Sequence, residues 1–242
     1  MTTAAGSVPL AGRWVLVTGA SRGIGAEVAR RLAADGARLA LVARSRALLD
    51  ALARELGAVA VPCDVTDHQA MVDSAARIAQ LTDGAPDVIV NNAGSFAILP
   101  VQETSVERFR ETLEVNLVAP FTFVRAFLPA MQSRGRGHIV TIGSIADRAI
   151  FPGNAAYAAS KHGLRALHEV LRAELRGSGV RTSLVSPGPV DTDLWDPIDP
   201  DNQPGFTPRA QMLTAGDVAD AVRWVTLAPD SVNVDELRLS RS

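Results

Sequence analysis

The sequence predicts an α/β fold, a doubly wound parallel sheet with helices on both faces. Three observations carry this expectation. Short runs that are apolar throughout alternate with amphipathic segments along most of the chain, as strands buried on both faces and joined by helical crossovers do. Glycines end the first two helical segments, at Gly36 and Gly57, where a left-handed cap is needed. The 242 residues are 47% hydrophobic, enough to bury a core without disulfides or metals in one domain spanning 1–242. Right-handed crossovers then wind the chain in both directions from a central strand.

Taken in order, Arg13–Val17 reads as the first strand, followed by a glycine-rich turn and a helix over Ile24–Asp35. Arg38–Ala43 is a second strand and Arg46–Leu56 a second helix. Val59–Pro62, Val88–Asn91, His138–Ile142, Arg181–Val185 and Val234–Leu239 are further strands. Helices are expected near Asp67–Leu81, Val106–Met131, Ala156–Arg176 and Ala215–Leu227, the second with a break near Asn116 and Pro120. Pro187–Leu213 departs from the alternation. It holds five prolines besides Pro187 and five aspartates, and a segment of that length is expected to be a mobile lid over Asp191–Gln211. Its aspartates disfavour a strongly anionic substrate.

Composition excludes several classes. A formal net charge of −2 offers nothing to a nucleic-acid backbone. The single cysteine, Cys63, cannot form an internal disulfide, which fits a cytoplasmic protein. Met1–Leu10 shows no basic segment before an apolar stretch, so no signal peptide is expected. No uninterrupted apolar run has the ~18 residues of a membrane span. The four histidines lack ligand spacing, so no metal is expected. Ser144 lacks the flanking glycines of a hydrolase nucleophile.

Two places carry chemistry. After the first strand comes Thr18-Gly19-Ala20-Ser21-Arg22-Gly23-Ile24-Gly25, a strand, glycine turn and helix start that together form a phosphate cradle. The spacing is Gly-x3-Gly-x-Gly, different from the common dinucleotide fingerprint. The end of the second strand then discriminates between nucleotides, because a ribose 2′-hydroxyl calls for an acid and a 2′-phosphate for a cation. The sequence there is Ala43-Arg44, and Arg22 is a second cation, so NADP(H) is the expected cofactor. Asp64-Val65 follows the third strand, where a carboxylate could accept from an adenine amino group. Asn91-Asn92-Ala93-Gly94 follows the fourth, where small residues leave room for a ligand.

The second place is a pair. Of 24 basic residues all but one are arginine; the single lysine, Lys161, stands four positions after the single tyrosine, Tyr157. On a helix the two share a face. A free phenol titrates near ~10, too high for an efficient base. An ammonium at ~5 Å favours the phenolate by about 3 kcal/mol at an effective dielectric of ~20, roughly two pKa units. Ser144, just past the fifth strand, could hydrogen-bond a substrate oxygen.

With these residues in view the chain resembles the short-chain dehydrogenase/reductase family in its single-domain branch. Thr18-Gly19-x3-Gly23-x-Gly25, Asp64-Val65, Asn91-Asn92-Ala93-Gly94, Asn116, Ser144, Tyr157-x3-Lys161, Pro187-Gly188 and Thr192 match in order and spacing across about residues 11–240. The resemblance implies a seven-stranded, Rossmann-like parallel sheet. It implies that Ser144 polarises the substrate oxygen and that Tyr157 is the general acid/base. Lys161 would hold the nicotinamide ribose and lower the Tyr157 pKa. Asn116 would keep a water-linked proton path to Lys161. Gly19, Ser21, Arg22, Gly23, Ile24, Gly25, Arg44, Asp64, Val65, Asn91, Ala93 and Gly94 would bind the nucleotide, with Pro187, Gly188, Val190 and Thr192 on its nicotinamide side.

The expected activity is NADP(H)-dependent hydride transfer to or from a small carbonyl or secondary alcohol, by a homo-oligomer (dimer or tetramer). A 3-oxoacyl-thioester reductase and a non-catalytic NADP(H) sensor on the same fold are the alternatives. The first is disfavoured by the tail Ser231–Leu239, which lacks glycine and is more like that of members acting on small hydroxy acids or other carbonyls. The second gives no reason for the lone tyrosine and lone lysine to be spaced for chemistry. Chain length leaves no room for the second substrate domain of a sugar epimerase.

Overall fold

The structure, a computed structural model, describes residues 9–242; most of the Met1–Leu10 stretch tested for a signal peptide lies outside them. The elements run β1 (Trp14–Thr18), α1 (Gly23–Ala34), β2 (Arg38–Ala43), α2 (Arg46–Leu56), β3 (Val59–Pro62), α3 (His68–Leu81) and β4 (Val88–Asn91). Then come α4 (Val106–Leu113), a π-helical turn (Glu114–Val118), α5 (Ala119–Ser133), β5 (Gly137–Ile142), α6 (Ala155–Glu174) and β6 (Val180–Pro187). Two short strands, β7 (Val190–Asp191) and β8 (Leu213–Thr214), precede α7 (Ala215–Leu227) and β9 (Glu236–Leu239).

Seven strands form one parallel sheet in the order β3-β2-β1-β4-β5-β6-β9. The order reverses between β1 and β4, and the crevice at the carboxyl ends of such a pair is where this architecture takes ligands. Alternate residues of β1 serve opposite faces. Val15 and Val17 belong to one buried cluster, with Val28 and Leu32 of α1 and Val218 and Val222 of α7. Leu16 belongs to the other, with Ile78 of α3 and Phe123 and Phe127 of α5. The doubly wound expectation therefore holds strand by strand.

Local signals place the helices. Asp67 caps α3 by accepting from Ala70 N at 3.0 Å, and Ser105 caps α4 through Arg108 N. Gly57 ends α2 in the left-handed region, at φ 62°. The expected break near Asn116 is a π-helical turn rather than an interruption, so Val106–Ser133 runs on as one helical unit. By length and composition this is the one described helix apolar enough to cross a membrane, but here Phe123, Phe127 and Met131 bury its apolar stripe in the core. The strand at Arg181–Val185 is longer than expected because β9 pairs with its far end, Pro187 opposite Leu239.

The Pro187–Leu213 segment folds on itself. β7 pairs with β8. Arg209 bonds Asp191 Oδ1 at 2.8 Å and Asp196 Oδ1 at 2.5 Å, and Asp201 accepts from Arg209 N at 2.8 Å. The aspartates read as a screen against anionic substrates are thus mostly engaged in internal ties.

His138 on β5 is 2% exposed, with Nε2 2.9 Å from Ser183 Oγ. Burial, helped by the Arg181 charge, lowers its pKa from 6.5 to about 3. Unfolding releases an imidazole that takes up a proton near pH ~6.5, which the folded protein refuses. This contribution to stability is complete above that pH and is lost as pH falls towards the folded value, by up to ~1.4 kcal/mol per pH unit. Urea titrations between about pH 6.5 and pH 4 should show this slope, and His138→Gln should flatten it. An unchanged slope would remove His138 as its source.

Candidate active site

The nucleotide end is built by a close approach of two loops. Thr18 ends β1, and its hydroxyl accepts from Asn92 N and Ala93 N, both at 3.0 Å. The Asn92 side chain donates to Thr18 O at 2.9 Å and Gly19 O at 3.2 Å. A Cβ at Gly19 would stand 2.8 Å from Ala93 Cα, and one at Gly25 would stand 2.3 Å from Gly19 O. No side chain fits at either position. Gly23 adopts φ 55°, a conformation costly for other residues. The α1 terminus then has no side-chain cap and no acid in its first turn, so its free N–H groups and positive end face the cleft.

These parts fit a dinucleotide phosphate, and the flanking charges fit a 2′-phosphate. Arg44 is exposed at the end of β2 and makes no ion pair among the described residues. Arg22 lies 3.4 Å from Asp193, an exposed and weak contact. Asp64 keeps its carboxylate ionised: burial opposes this, but hydrogen bonds from Thr66 and the Arg44 charge outweigh it.

A cleft of about 1090 Å³ joins this end to Tyr157 and Lys161. Of the residues expected at the site, all line it except Gly25, Asn91 and Asn116. Gly25 acts from behind by letting the turn close. Asn91 ends β4 with its side chain buried and without a hydrogen-bond partner; Asn92, beside it, makes the ties. Asn116 is fully buried in the π-helical turn. Its amide donates to Ser95 O at 3.0 Å and Ser160 Oγ at 2.9 Å, and its Oδ1 accepts from Ser95 N at 2.8 Å. Ser160 in turn donates to Tyr157 O at 2.7 Å. The Asn116 side chain therefore braces the helix under Tyr157.

At the reaction end, α6 carries Tyr157 and Lys161 one turn apart. Lys161 Nζ donates to Ile142 O at 2.8 Å and lies 5.7 Å from the Tyr157 ring centroid. Ser144 caps the short turn Ile145–Asp147 by accepting from Ala146 N at 3.1 Å. The expected lowering of the Tyr157 pKa by Lys161 is not found. Burial raises it, a hydrogen bond with Ser144 acts against the rise, and the Asp147 charge adds to it. Burial also lowers Lys161 to about 8, with Asp147 acting against that fall. Sequence spacing places the two side chains together but cannot register their shared desolvation.

Asp147 is the residue the motifs missed. Its side chain is wholly buried. Oδ2 accepts from Ser186 Oγ at 2.6 Å, and Oδ1 accepts from Arg148 Nε at 2.7 Å. Gly143 makes room, since a Cβ there would stand 2.5 Å from Ser186 Oγ. The only sequence signal was an acid three positions after Ser144. Asp147→Asn should lower the Lys161 pKa further and move the alkaline limb of the pH–rate profile to lower pH. Asp147→Glu should restore part of it. A profile unmoved by Asp147→Asn would leave this carboxylate a purely structural role.

Comparison with known proteins agrees with this geometry. The short chain dehydrogenase family matches residues 13–203. A glycine betaine reductase of Emericella nidulans is 35% identical over 95% of this chain, though the chain spans only 19% of that protein. It spans 58% of a rat dehydrogenase/reductase SDR family member 7B, at 38% identity over 74% of this chain. An uncharacterised oxidoreductase of Mycobacterium tuberculosis is 38% identical, covering 93% of this chain and 89% of its own. Among solved structures, a metagenomic short-chain oxidoreductase in complex with NADP superposes with a TM-score of 0.83 at 34% identity, covering 97% and 99% of the two chains. An alcohol dehydrogenase of Thermococcus sibiricus complexed with 5-hydroxy-NADP superposes at 0.81 with 32% identity, covering 94% and 95%. With the glycine turn, the seven-stranded order and the Ser144, Tyr157 and Lys161 grouping in place, the chain belongs to the short-chain dehydrogenase/reductase family of oxidoreductases.

Proposed function

We propose that the protein, as one domain, is an NADP(H)-dependent oxidoreductase interconverting a small carbonyl compound and a secondary alcohol. The observation that carries this is the half-buried Tyr157 phenol beside Ser144 and Lys161, in the same cleft as an uncapped helix terminus flanked by Arg22 and Arg44. NADP in the solved metagenomic relative supports the choice of nucleotide. The bound cofactor supplies or accepts a hydride at the substrate carbon.

The chain's own groups do the rest. The α1 terminus and the glycine turn hold the phosphates, and Arg44 with Arg22 meets the 2′-phosphate. Pro187, Gly188, Val190 and Thr192 border the nicotinamide side. Ser144 hydrogen-bonds the substrate oxygen. Tyr157, whose pKa lies above the ordinary phenol value, is protonated at neutral pH and donates its proton to that oxygen during reduction. The reverse direction needs the phenolate and is favoured by alkaline pH. A cytoplasmic homo-oligomer completes the proposal, testable by analytical ultracentrifugation and cell fractionation.

Tyr157→Phe should lower turnover by about 10²–10⁴-fold while nearly preserving NADPH binding. In the unmodified protein, alcohol oxidation should climb with pH through and beyond about pH 9 without levelling off, because burial holds the phenol above its ordinary value of ~10. Full activity in the phenylalanine variant would exclude the acid/base assignment.

Cofactor choice is measured by kcat/KM with NADPH and NADH at one substrate concentration. A preference for NADPH of about ten- to a few-hundredfold is expected, weakening as salt is raised. Ala43→Asp with Arg44→Ala should reverse it by removing a cation and adding repulsion. Equal use of both nucleotides by the unmodified protein would refute the role of Arg44.

A further inference from the structure

The substrate end of the cleft is walled by rings. Phe96 stands edge-on to Tyr157, with centroids 4.8 Å apart and planes at 72°. Trp195 stands edge-on to Phe96 at 5.0 Å, and Phe206 follows Trp195 at 6.2 Å. The row starts at the acid/base group and continues along the segment between β7 and β8. Trp195 is held in line by its indole N–H, which donates to Val190 O at 3.1 Å. Phe151 and Leu194 of the same wall are 43% and 39% exposed, more than interior packing would leave them.

Charge at this end is one-sided. Among the described residues, the cations lining the cleft are Arg22, Arg44 and Lys161. The two arginines belong to the nucleotide end, and Lys161 is 5% exposed with Nζ bonded to Ile142 O. Arg148 is taken by Asp147 and Glu236, and Arg209 by Asp191 and Asp196. Of the acids in this wall, Asp193 sits 3.4 Å from Arg22, and Glu111 makes no ion pair among the described residues. A substrate carboxylate would meet aromatic surface, no unengaged cation at this end and the like charge of Glu111, an arrangement that costs binding free energy.

We infer that the substrate is an uncharged aryl ketone, or the corresponding secondary alcohol, with its ring stacked among Phe96, Trp195 and Phe206. The inference rests on the oxidoreductase reading above and names the substrate of that same site. In reduction the C=O π bond breaks: the carbon takes hydride from NADPH and the oxygen takes the Tyr157 proton, giving the alcohol and NADP+. Of the two classes compatible with the chain's tail, hydroxy acids and other carbonyls, the wall selects the second.

Methyl 4-acetylbenzoate and 4-acetylbenzoate share a skeleton and differ in charge. With NADP+, which has no hydride to give, calorimetry on the full chain reads binding alone; with NADPH, absorbance reads turnover. The ester is expected to bind, and to be reduced, at least about tenfold better than the carboxylate. Trp195→Ala should weaken ester binding more than it weakens NADP+ binding. Equal or tighter binding of the carboxylate, or binding of neither compound, overturns the aryl-ketone assignment while leaving NADP(H) chemistry standing. An ester that binds but causes no NADPH oxidation instead overturns the oxidoreductase reading, and the substrate assignment with it.

Discussion

The cleft exists because the turn after β1 is drawn against the loop after β4. The Thr18 hydroxyl and the Asn92 amide make that closure, and the absence of side chains at Gly19 and Gly25 permits it. The two strands are neighbours in the sheet although α1, β2, α2, β3 and α3 separate them in sequence. Everything downstream inherits that geometry. The α1 terminus is aimed by it, Ala93 and Gly94 are placed by it, and β5 continues the sheet towards Ser144. The glycines here serve the protein's own contacts first, and room for a nucleotide follows from them.

At the other end of the cleft the organising factor is burial. Lys161 and Asp147 are buried and Tyr157 half-buried beside them, so neither the phenol nor the ammonium has the ionisation behaviour of an exposed group. Desolvation disfavours the phenolate and the ammonium alike, and the buried carboxylate favours the ammonium while opposing the phenolate. The balance leaves a protonated phenol beside a lysine whose pKa is about 8. Asp147 also ties the turn carrying Ser144 to Ser186 on β6, so position and field come from one side chain.

The fold was legible because its signals are local and periodic: apolar runs, glycine stops and helix caps. Tyr157 and Lys161 were legible because a one-turn spacing survives in any helix. Partners that meet only in three dimensions were not. Asn116 finds Ser95 and Ser160 across elements, and Asp147 finds Ser186 across the sheet's edge. Asn91 and Asn92 are adjacent, and only the strand's pleat decides which of them reaches the turn. The aspartates of the segment after β7 looked like a charged screen because Arg209, which folds back onto two of them, lies 13 and 18 positions further along.

The lone lysine has a consequence outside catalysis. Carbamylation, glycation and acylation usually scatter over many surface amines and alter a protein gradually. This chain offers those reactions one ε-amine, 5% exposed and inside the cleft, with a pKa that leaves part of it uncharged and nucleophilic in mildly alkaline solution. Amine damage to side chains therefore has no silent sites to fall on. The molecule keeps its surface intact as it ages by this route, and each modification that does occur is written directly into the cleft.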